Sequence, residues 1–217
     1  MENSASYKAW EKMYEDARKK MAARKMNGGV LIEVAAQHPL VNGETPNEEF
    51  EKRLLLAAEL YREKTISGNK VKIYVPGSLH KFKGVVDKIP LSEAGKAYLL
   101  QKGIAAPDIF ADDMNKKYKG SDGVYNSADE CFVAGKIFDE LNYGELHCVC
   151  SSGQMMRKML CYIRFGYVPY MHTVSCDVMY HDYIDEIFKF IPALLEEGCA
   201  LQGETGEADR LRNLRKP

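Results

Sequence analysis

The sequence predicts an α/β domain of the Rossmann-like, doubly wound type, with about five mainly parallel strands in a three-layer α/β/α arrangement. Apolar runs of strand length alternate along the chain with segments of helical periodicity. The first apolar run is continuous, which is typical of a strand buried on both faces of a sheet. Glycines end several of the helical segments. This alternation predicts a parallel sheet that helices cover on both faces.

Five segments are predicted as strands because each is short, apolar and bounded by turn residues. They are GVLIEVAAQ (29–37), KVKIYVPG (70–77), PDIFADD (107–113), ELHCVCS (145–151) and VPYMHTVS (168–175). The second strand is followed by a loop of about 15 residues, 76–91, where two to six are usual. A loop of this length indicates a functional role.

The helices are predicted from apolar stripes and from capping signals at their starts. Thr45, Pro46 and Glu48 have the spacing of an N-cap, a first helical residue and a capping box. Serines at three later helix starts are also predicted as N-caps, namely Ser92, Ser127 (in a capping box with Glu130) and Ser152. The polar segment 114–126 is predicted as a loop. A last helix is predicted over 180–197, with a bend at Pro192.

The chain divides into an N-terminal amphipathic helix (1–27), the α/β domain (28–200) and a polar C-terminal tail (201–217). The N-terminal helix carries an apolar stripe at helical spacing, formed by Tyr7, Trp10, Tyr14, Ala17 and Met21. Such a stripe has two interpretations. It packs against the domain, or it is the contact surface of a homodimer.

Composition limits the classes of partner. The net charge of -1 gives no bulk electrostatic reason to expect binding to nucleic acid or to a membrane surface. No apolar run approaches the roughly 18 residues of a membrane span, and the first residues lack the apolar core of a signal peptide. We therefore expect a cytoplasmic protein. The 6 cysteines have no C-x-x-C spacing, which favours reduced, buried thiols over a disulfide framework.

The ligand site is expected in the loops after the strands, because ligands of doubly wound sheets bind outside the carboxyl ends of the strands. Carboxylates in these loops are the candidates for general base or ribose acceptor, and they are Glu93, Asp112 and Asp129. The candidate ligand-binding residues are His38, Asn42, Gly77, Ser78, Ser92, Asn126, Ser127, Ser151, Ser152, Gln154 and Arg157. Helix starts at 127 and 152 are expected to bind an anion, and Arg157 to pair with it.

Several known motifs are absent from the sequence. There is no G-x-G-x-x-G after the first strand, no phosphate-binding P-loop and no G-x-S-x-G nucleophile elbow. His172, Cys176 and His181 do not have a recognised zinc spacing. The alternative of a hard divalent cation on carboxylates stays open, with Asp112, Asp129 or Asp177 as its ligands. We expect no bound metal.

Short motifs occur in the order that is found in one bacterial family. They are Arg53-Leu54 with Ala57, Pro76-Gly77-Ser78, Ser92-Glu93-Ala94, Gly103-Ile104 through Ile109 to Asp112, Asn126-Ser127-Ala128-Asp129-Glu130-Cys131, Ser151 with Gln154 and Arg157, and Ile163-Arg164-Phe165-Gly166. Over about 29–174 the chain therefore resembles the YdcF-like domain family, which includes SanA and ElyC. The motifs are weak singly, and their order and spacing carry the resemblance.

The resemblance implies a Rossmann-like α/β/α fold. It also implies S-adenosylmethionine as a cofactor, because binding of that molecule has been attributed to a family member. The sequence departs from the family at Gln154, where members have a histidine, and glutamine cannot act as a general base near pH 7. The double glycine of the second strand is also missing, as are the N-terminal membrane spans of many members.

Two classes of function follow. The first is a cytoplasmic small-molecule enzyme that binds a nucleotide-like or phosphorylated ligand and catalyses group transfer or hydrolysis at a phosphoryl or sulfonium centre. The carboxylates at the strand ends favour this class. The second is a ligand-binding or sensing module without catalysis, which the replacement of the family histidine by Gln154 favours.

Overall fold

The computed structural model of the protein describes residues 5–24, 28–82 and 84–175. The helix predicted over 180–197, the polar tail and the sequence positions Cys176, Asp177 and His181 lie outside the described residues. Within these ranges, none of the helices combines enough length and apolar character to span a lipid bilayer.

Five parallel strands form one sheet, and helices flank it, so the predicted fold class is confirmed. The strands are β1 (Gly29–Val34), β2 (Lys70–Tyr74), β5 (Ile109–Phe110), β6 (Glu145–Ser151) and β7 (Tyr170–Val174), and a small antiparallel hairpin is made by β3 (Lys81–Phe82) and β4 (Val85–Val86). The helices are α1 (Ala5–Arg24), α2 (Glu48–Ile66), α3 (Leu91–Gln101), α4 (Asp112–Lys119), α5 (Ser127–Leu141) and α6 (Met155–Arg164). The hairpin lies inside the long loop that follows β2.

The order of the strands across the sheet is β5-β2-β1-β6-β7. The chain therefore builds outward from β1 to β5 and then returns to place β6 on the other side of β1. This reversal puts the topological switch point between β1 and β6, where doubly wound proteins bind their ligands. In the register of this pair, Glu33 lies opposite Cys148 and Val34 opposite Val149.

Every residue of β1 is buried, because the sheet has a core on each face. Val30, Ile32 and Val34 point into the core under α2 and α3. Leu31 points into the other core, which α5 and α6 cover. Side chains of a strand alternate between faces, so Glu33 must point into this second, apolar core.

The N-terminal helix packs on the domain, in agreement with the first of its two interpretations. Ala17 is buried, and Arg24 forms an ion pair with Asp139 of α5. The guanidinium of Arg164 on α6 lies 5.0 Å from the centre of the Trp10 ring. The alternative of a homodimer through α1 stays a prediction.

The predicted start of α2 is wrong by two residues. The N-cap is Asn47, whose side-chain oxygen accepts the backbone N–H of Phe50 at 2.9 Å. Thr45 and Pro46 precede the helix, and Thr45 instead forms an isolated β-bridge with Val41. Asparagine caps a helix as well as threonine does, so the two neighbouring signals could not be ranked from the sequence.

The three serines predicted as N-caps do not cap their helices. In α5 the cap is Asn126, which accepts the N–H of Asp129 at 2.9 Å, and Ser127 is the first helical residue. Ser92 lies inside the first turn of α3, after Pro90. Ser152 begins a short 3-10 turn that precedes α6.

The segment 114–126, predicted as a loop, contains most of α4. This helix is polar nearly all round, and Asn115 is its buried residue. It lacks the apolar periodicity from which helices are predicted. An ion pair between Asp112 and Lys116, one turn apart, supports it instead.

A polar cluster joins β6, β7 and α2. His147 Nδ1 is 2.8 Å from His172 Nε2, and His147 Nε2 is 3.0 Å from Glu145 Oε2. Lys64 donates to the same carboxylate oxygen at 2.8 Å. Burial lowers the pKa of His147 to about 4, against the opposing effect of Glu145. The buried imidazole is therefore neutral at pH 7.

A first prediction concerns the close packing of α3 on the sheet. We expect Gly95→Ala to lower the free energy of unfolding by about 1–2 kcal/mol. A Cβ there would lie 2.7 Å from Val75 Cγ1, and overpacking of about 1–3 kcal/mol exceeds the gain of up to ~1 kcal/mol in helix propensity. Urea unfolding measures the change. Gly153→Ala is the control, since a Cβ at that position would meet open space, with no packed neighbour within 4 Å. Equal stability of the two variants would contradict the prediction.

A second prediction concerns acid stability. Because the folded state lowers the pKa of His147, its contribution to stability is complete above about pH 6.5 and is lost as the pH falls toward 4. We expect roughly 1–3 kcal/mol of acid destabilisation from this residue. His147→Gln should remove that part of the pH dependence, as measured by urea unfolding at several pH values. An unchanged slope between pH 6.5 and 4 in this variant would contradict the assignment.

Candidate functional site

A buried arginine connects the two loops at the switch point. Arg53 of α2 donates from Nη1 to the backbone oxygens of Ala35 at 2.8 Å and Ala36 at 3.1 Å, in the loop after β1. Its Nε and Nη2 donate to Ser151 Oγ, at the end of β6, at 3.0 and 2.6 Å. Glu49, one helical turn earlier, forms an ion pair with Nη2. The guanidinium thus fixes the spacing of the two loops.

Ser151 is therefore held by protein groups. Its hydroxyl also donates to the Glu49 carboxylate, and its side chain is buried. Arg53 was not assigned to the site from the sequence, although it begins one of the family motifs. A charged residue on the apolar face of α2 was the available signal, because such a residue must find buried partners.

Two histidines and a tyrosine lie close together at the carboxyl edge of the sheet. His38 Nδ1, in the loop after β1, is 2.6 Å from Asp87 Oδ2. Asp87 is buried and also accepts the backbone N–H of Leu40 at 2.9 Å. The rings of His38 and His80 are 4.5 Å apart between centres, and His80 is 5.9 Å from the ring of Tyr125. A carboxylate bound to one imidazole nitrogen orients the ring for proton transfer at the other.

Asp129, a predicted general base, lies in a buried ion pair. Its Oδ1 is 2.8 Å from Lys119 Nζ of α4, and its Oδ2 accepts from Asn126 Nδ2 at 2.8 Å. Burial raises the pKa of Asp129, and the hydrogen bond and charge of Lys119 oppose this shift. The carboxylate thus ties α4 to the first turn of α5.

Ser127 and Arg157 bring the starts of α5 and α6 together. Arg157 Nη1 donates to Ser127 Oγ, and Ser127 is buried. A guanidinium next to the N-terminus of a helix of 15 residues is a favourable environment for an anion. These two residues were both predicted from the sequence, and the structure brings them into contact.

The remaining predicted carboxylates lie near one lysine. Asp112 Oδ2 is 2.7 Å from Lys116 Nζ, and Glu93 acts electrostatically on the same ammonium group. Asp112 is half-buried at the start of α4, and Glu93 is in the first turn of α3. Both residues lie in segments that follow β2 and β5, so they belong to that side of the sheet's carboxyl edge.

Gly77 and Ser78 support the loop after β2. Gly77 has a positive φ of 103°, and a Cβ there would lie 2.8 Å from the Cβ of Leu91, so glycine is required at this close approach. Its oxygen accepts the N–H of Ser92 at 3.0 Å. Ser78 Oγ accepts the N–H of Val124 at 2.8 Å, which connects this loop to the segment before α5.

The side chains of four predicted residues do not take part in the contacts described above. Asn42 is exposed in a turn, where its positive φ of 54° explains the choice of asparagine. Ser152 is exposed, and Ser92 is buried. The buried Oγ of Ser92 and the buried Oε1 of Gln154 have no hydrogen-bond partner among the described residues.

A buried ion triad lies beneath the switch point. Lys158 Nζ of α6 is 2.6 Å from Glu33 Oε1 of β1 and 2.5 Å from Glu130 Oε2 of α5. Cys148 Sγ and Tyr162 Oη donate to Glu33 Oε2 at 2.8 and 3.2 Å. One ammonium group therefore lies between two carboxylates. The sequence signal was Glu33 itself, a single charge inside the apolar run GVLIEV.

The triad has a defined order of protonation. Burial disfavours the charged form of Lys158, but the two glutamates outweigh it and raise the pKa of Lys158 well above its usual value. Burial raises the pKa of Glu130, with Lys158 opposing and Glu33 adding to the shift. Lys158 therefore stays charged at pH 7. Glu130 takes up a proton at a higher pH than an ordinary glutamate does.

The four cysteines at 131, 148, 150 and 161 are free and buried, which confirms the prediction for them; the other two lie outside the described residues. No group of three His, Cys, Asp or Glu side chains in the described ranges is arranged to hold a metal ion.

Comparisons with known proteins gave no match. No family model, no curated protein and no solved structure matches the chain. The resemblance to the YdcF-like family therefore stays a prediction from the short motifs.

The triad generates a prediction for stability. We expect Lys158→Met to lower the free energy of unfolding by about 3–5 kcal/mol at pH 7, because two buried carboxylates lose their cation. The loss should be smaller at pH 5, where Glu130 accepts a proton more readily. Urea unfolding at both pH values measures it. Lys117→Met is the control, since it removes an exposed ion pair with Glu140. A loss below about 1 kcal/mol at pH 7 would contradict the assignment.

Proposed function

We propose that the protein is a small-molecule enzyme that binds a phosphorylated, nucleotide-like ligand at the carboxyl edge of its sheet. The observation that carries this proposal is the pair of His38 and Asp87. A buried carboxylate at 2.6 Å orients an imidazole in the loop after β1, next to the switch point. Catalytic histidines are commonly oriented in this way, and switch-point loops are the usual place for a ligand.

In the proposed reaction, His38 transfers the proton. Because its Nδ1 is bound to Asp87, proton exchange with the ligand falls to Nε2. His38 would accept a proton from the attacking hydroxyl or water and return it to the leaving group. The reaction class is group transfer or hydrolysis at a phosphoryl centre, which is one of the two kinds of centre expected from the sequence.

The proposed phosphate position is the start of α5. The backbone N–H groups of the first turn and the Arg157 guanidinium both favour negative charge there. Ser127 supplies a hydroxyl at the same place. His80 and Tyr125, which is 38% exposed, offer ring faces between this position and His38 on which a planar base can stack.

S-adenosylmethionine fits these residues less well. Its sulfonium centre is a cation, and two of the predicted carboxylates, Asp112 and Asp129, are already paired with lysines. The proposal therefore includes no step that depends on this cofactor. It stays a prediction of the family resemblance and is one of the ligands to be screened.

The second candidate is a sensing module without catalysis. The same ion pairs favour it, because carboxylates that are held by lysines serve structure more readily than proton transfer. Gln154, in place of the histidine of the family, favours it too. In this case the ligand would bind at the same edge without being converted.

A binding experiment tests the position of the ligand. A thermal-shift screen should contain nucleotides, inorganic pyrophosphate, S-adenosylmethionine and divalent cations. We expect a phosphorylated compound to raise the melting temperature, and Arg157→Gln to weaken its binding by about 10–100-fold through loss of a charge-assisted contact. Arg18→Gln, on the exposed face of α1, is the control and should bind normally. An absence of any shift from phosphorylated compounds would contradict the proposal.

A turnover assay on the ligand found in this screen separates the two candidates. We expect Asp87→Asn to bind the ligand within about threefold of wild type and to slow its conversion by roughly 100-fold, as expected for a general base that loses its orienting group. Asp129→Asn tests the predicted base in parallel. Tight binding with no conversion by the wild-type protein would establish the sensing module instead.

A further inference from the structure

Glu130 lies directly beneath the proposed anion position. It follows Ser127 by three residues on α5, so the two are neighbours on one face of the helix. Its side chain is 11% exposed, and Lys158 Nζ is 2.5 Å from Oε2. Arg157, the residue before Lys158, contacts Ser127. The Glu130 end of the triad therefore lies near the proposed anion position. The Glu33 end is fully buried.

The titratable groups around Glu130 and its ion partners come from six elements. They are Glu33 of β1, Tyr74 of β2, Cys148 of β6, Asp129 of α5 with its partner Lys119 of α4, and Arg157, Lys158 and Tyr162 of α6. Tyr74 Oη is bound to Asn115 Oδ1 at 2.6 Å, and Asp129 is paired with Lys119 at 2.8 Å. The charges that act on Glu130 most directly are those of Lys158, Glu33 and Arg157.

The charges within the triad of Lys158, Glu33 and Glu130 do not balance unless Arg157 is counted. Lys158 supplies one positive charge between two carboxylates, so the triad carries one net negative charge when both glutamates are ionised. Arg157 is the second cation whose charge lowers the pKa of Glu130, with a smaller effect than burial, Lys158 and Glu33. The proposed ligand would place its negative charge next to Arg157.

We propose that binding of an anion at the start of α5 is coupled to the uptake of one proton by Glu130. This inference rests on the proposed anion position. A bound dianion cancels the positive potential of Arg157, so an ionised Glu130 then faces both the buried Glu33 and the ligand. Protonation removes this repulsion, and the partial exposure of the side chain gives the proton a path from solvent.

The coupling has a defined sign. An anion near Arg157 raises the pKa of Glu130 further, so the bound state holds more protons than the free state. By linkage, the affinity for the anion must then rise as the pH falls. As the pH rises, the apparent Kd should increase by up to about tenfold per pH unit. This holds in the window between the pKa of Glu130 in the free protein and its pKa in the bound protein.

Sulfate is a suitable probe because it does not titrate between pH 6 and 8. Calorimetric titration of the full chain in two buffers with different enthalpies of ionisation gives the number of protons taken up. We expect about one proton per sulfate in wild type and in Glu140→Gln, a matched change at the exposed end of α5. In Glu130→Gln we expect sulfate to bind with uptake reduced to near zero.

The outcomes distinguish this inference from the function on which it rests. Sulfate binding with uptake that persists in Glu130→Gln would assign the proton to His38 or His80 and overturn the inference alone. Binding without uptake in wild type would do the same. A failure of the wild-type protein to bind sulfate, or binding that Arg157→Gln does not weaken, would overturn the anion position together with the inference.

A second measurement avoids dependence on a variant that fails to fold. The infrared difference spectrum of the wild-type protein on addition of sulfate should show loss of a carboxylate band and gain of a protonated carboxyl band. Circular dichroism checks the fold of Glu130→Gln. A difference spectrum with no gain of protonated carboxyl would overturn the inference even if the variant does not fold.

Discussion

The contact on which much of this structure depends is the ammonium group of Lys158 between the carboxylates of Glu33 and Glu130. It joins the central strand to α5 and α6 under the switch point. A buried charge is tolerated only where its partners are close and well oriented, so these three elements have little freedom to shift. The first turns of α5 and α6, which carry Ser127 and Arg157, lie directly above this fixed base.

A second buried charge does the same for the opposite face of the sheet. Arg53 holds the loop after β1 to the end of β6 through two backbone oxygens and Ser151. The two networks lie on the two faces of the sheet, on either side of the switch point. Rigid support of this kind is what a binding site needs, because loops that move freely lose affinity to the entropy of ordering. The polar residues at the carboxyl edge of the sheet are thus divided between support and the proposed contacts with a ligand.

The position of the site could be predicted from the sequence, but only some of the contacts between its residues could. The contact of Ser127 with Arg157, and the place of His38, follow from loops that a parallel sheet brings to one edge. Asp87, which orients His38, is 49 residues away in sequence and carries no local signal. The partner of Asp129, Lys119 of α4, was hidden as well, because the segment that contains it was predicted as a loop. A carboxylate in a strand-end loop has the same local sequence whether it is a base or half of an ion pair.

The sequence by itself determined the fold class, because strand length, helical periodicity and their alternation are local properties that follow from backbone geometry. It also determined that β1 is buried on both faces and that Glu33 interrupts its apolar run. Tertiary structure alone decided which partner each fully buried charge finds and which loops meet across the switch point. These choices depend on distances between residues that are far apart in the chain, and burial makes the charge of each partner matter.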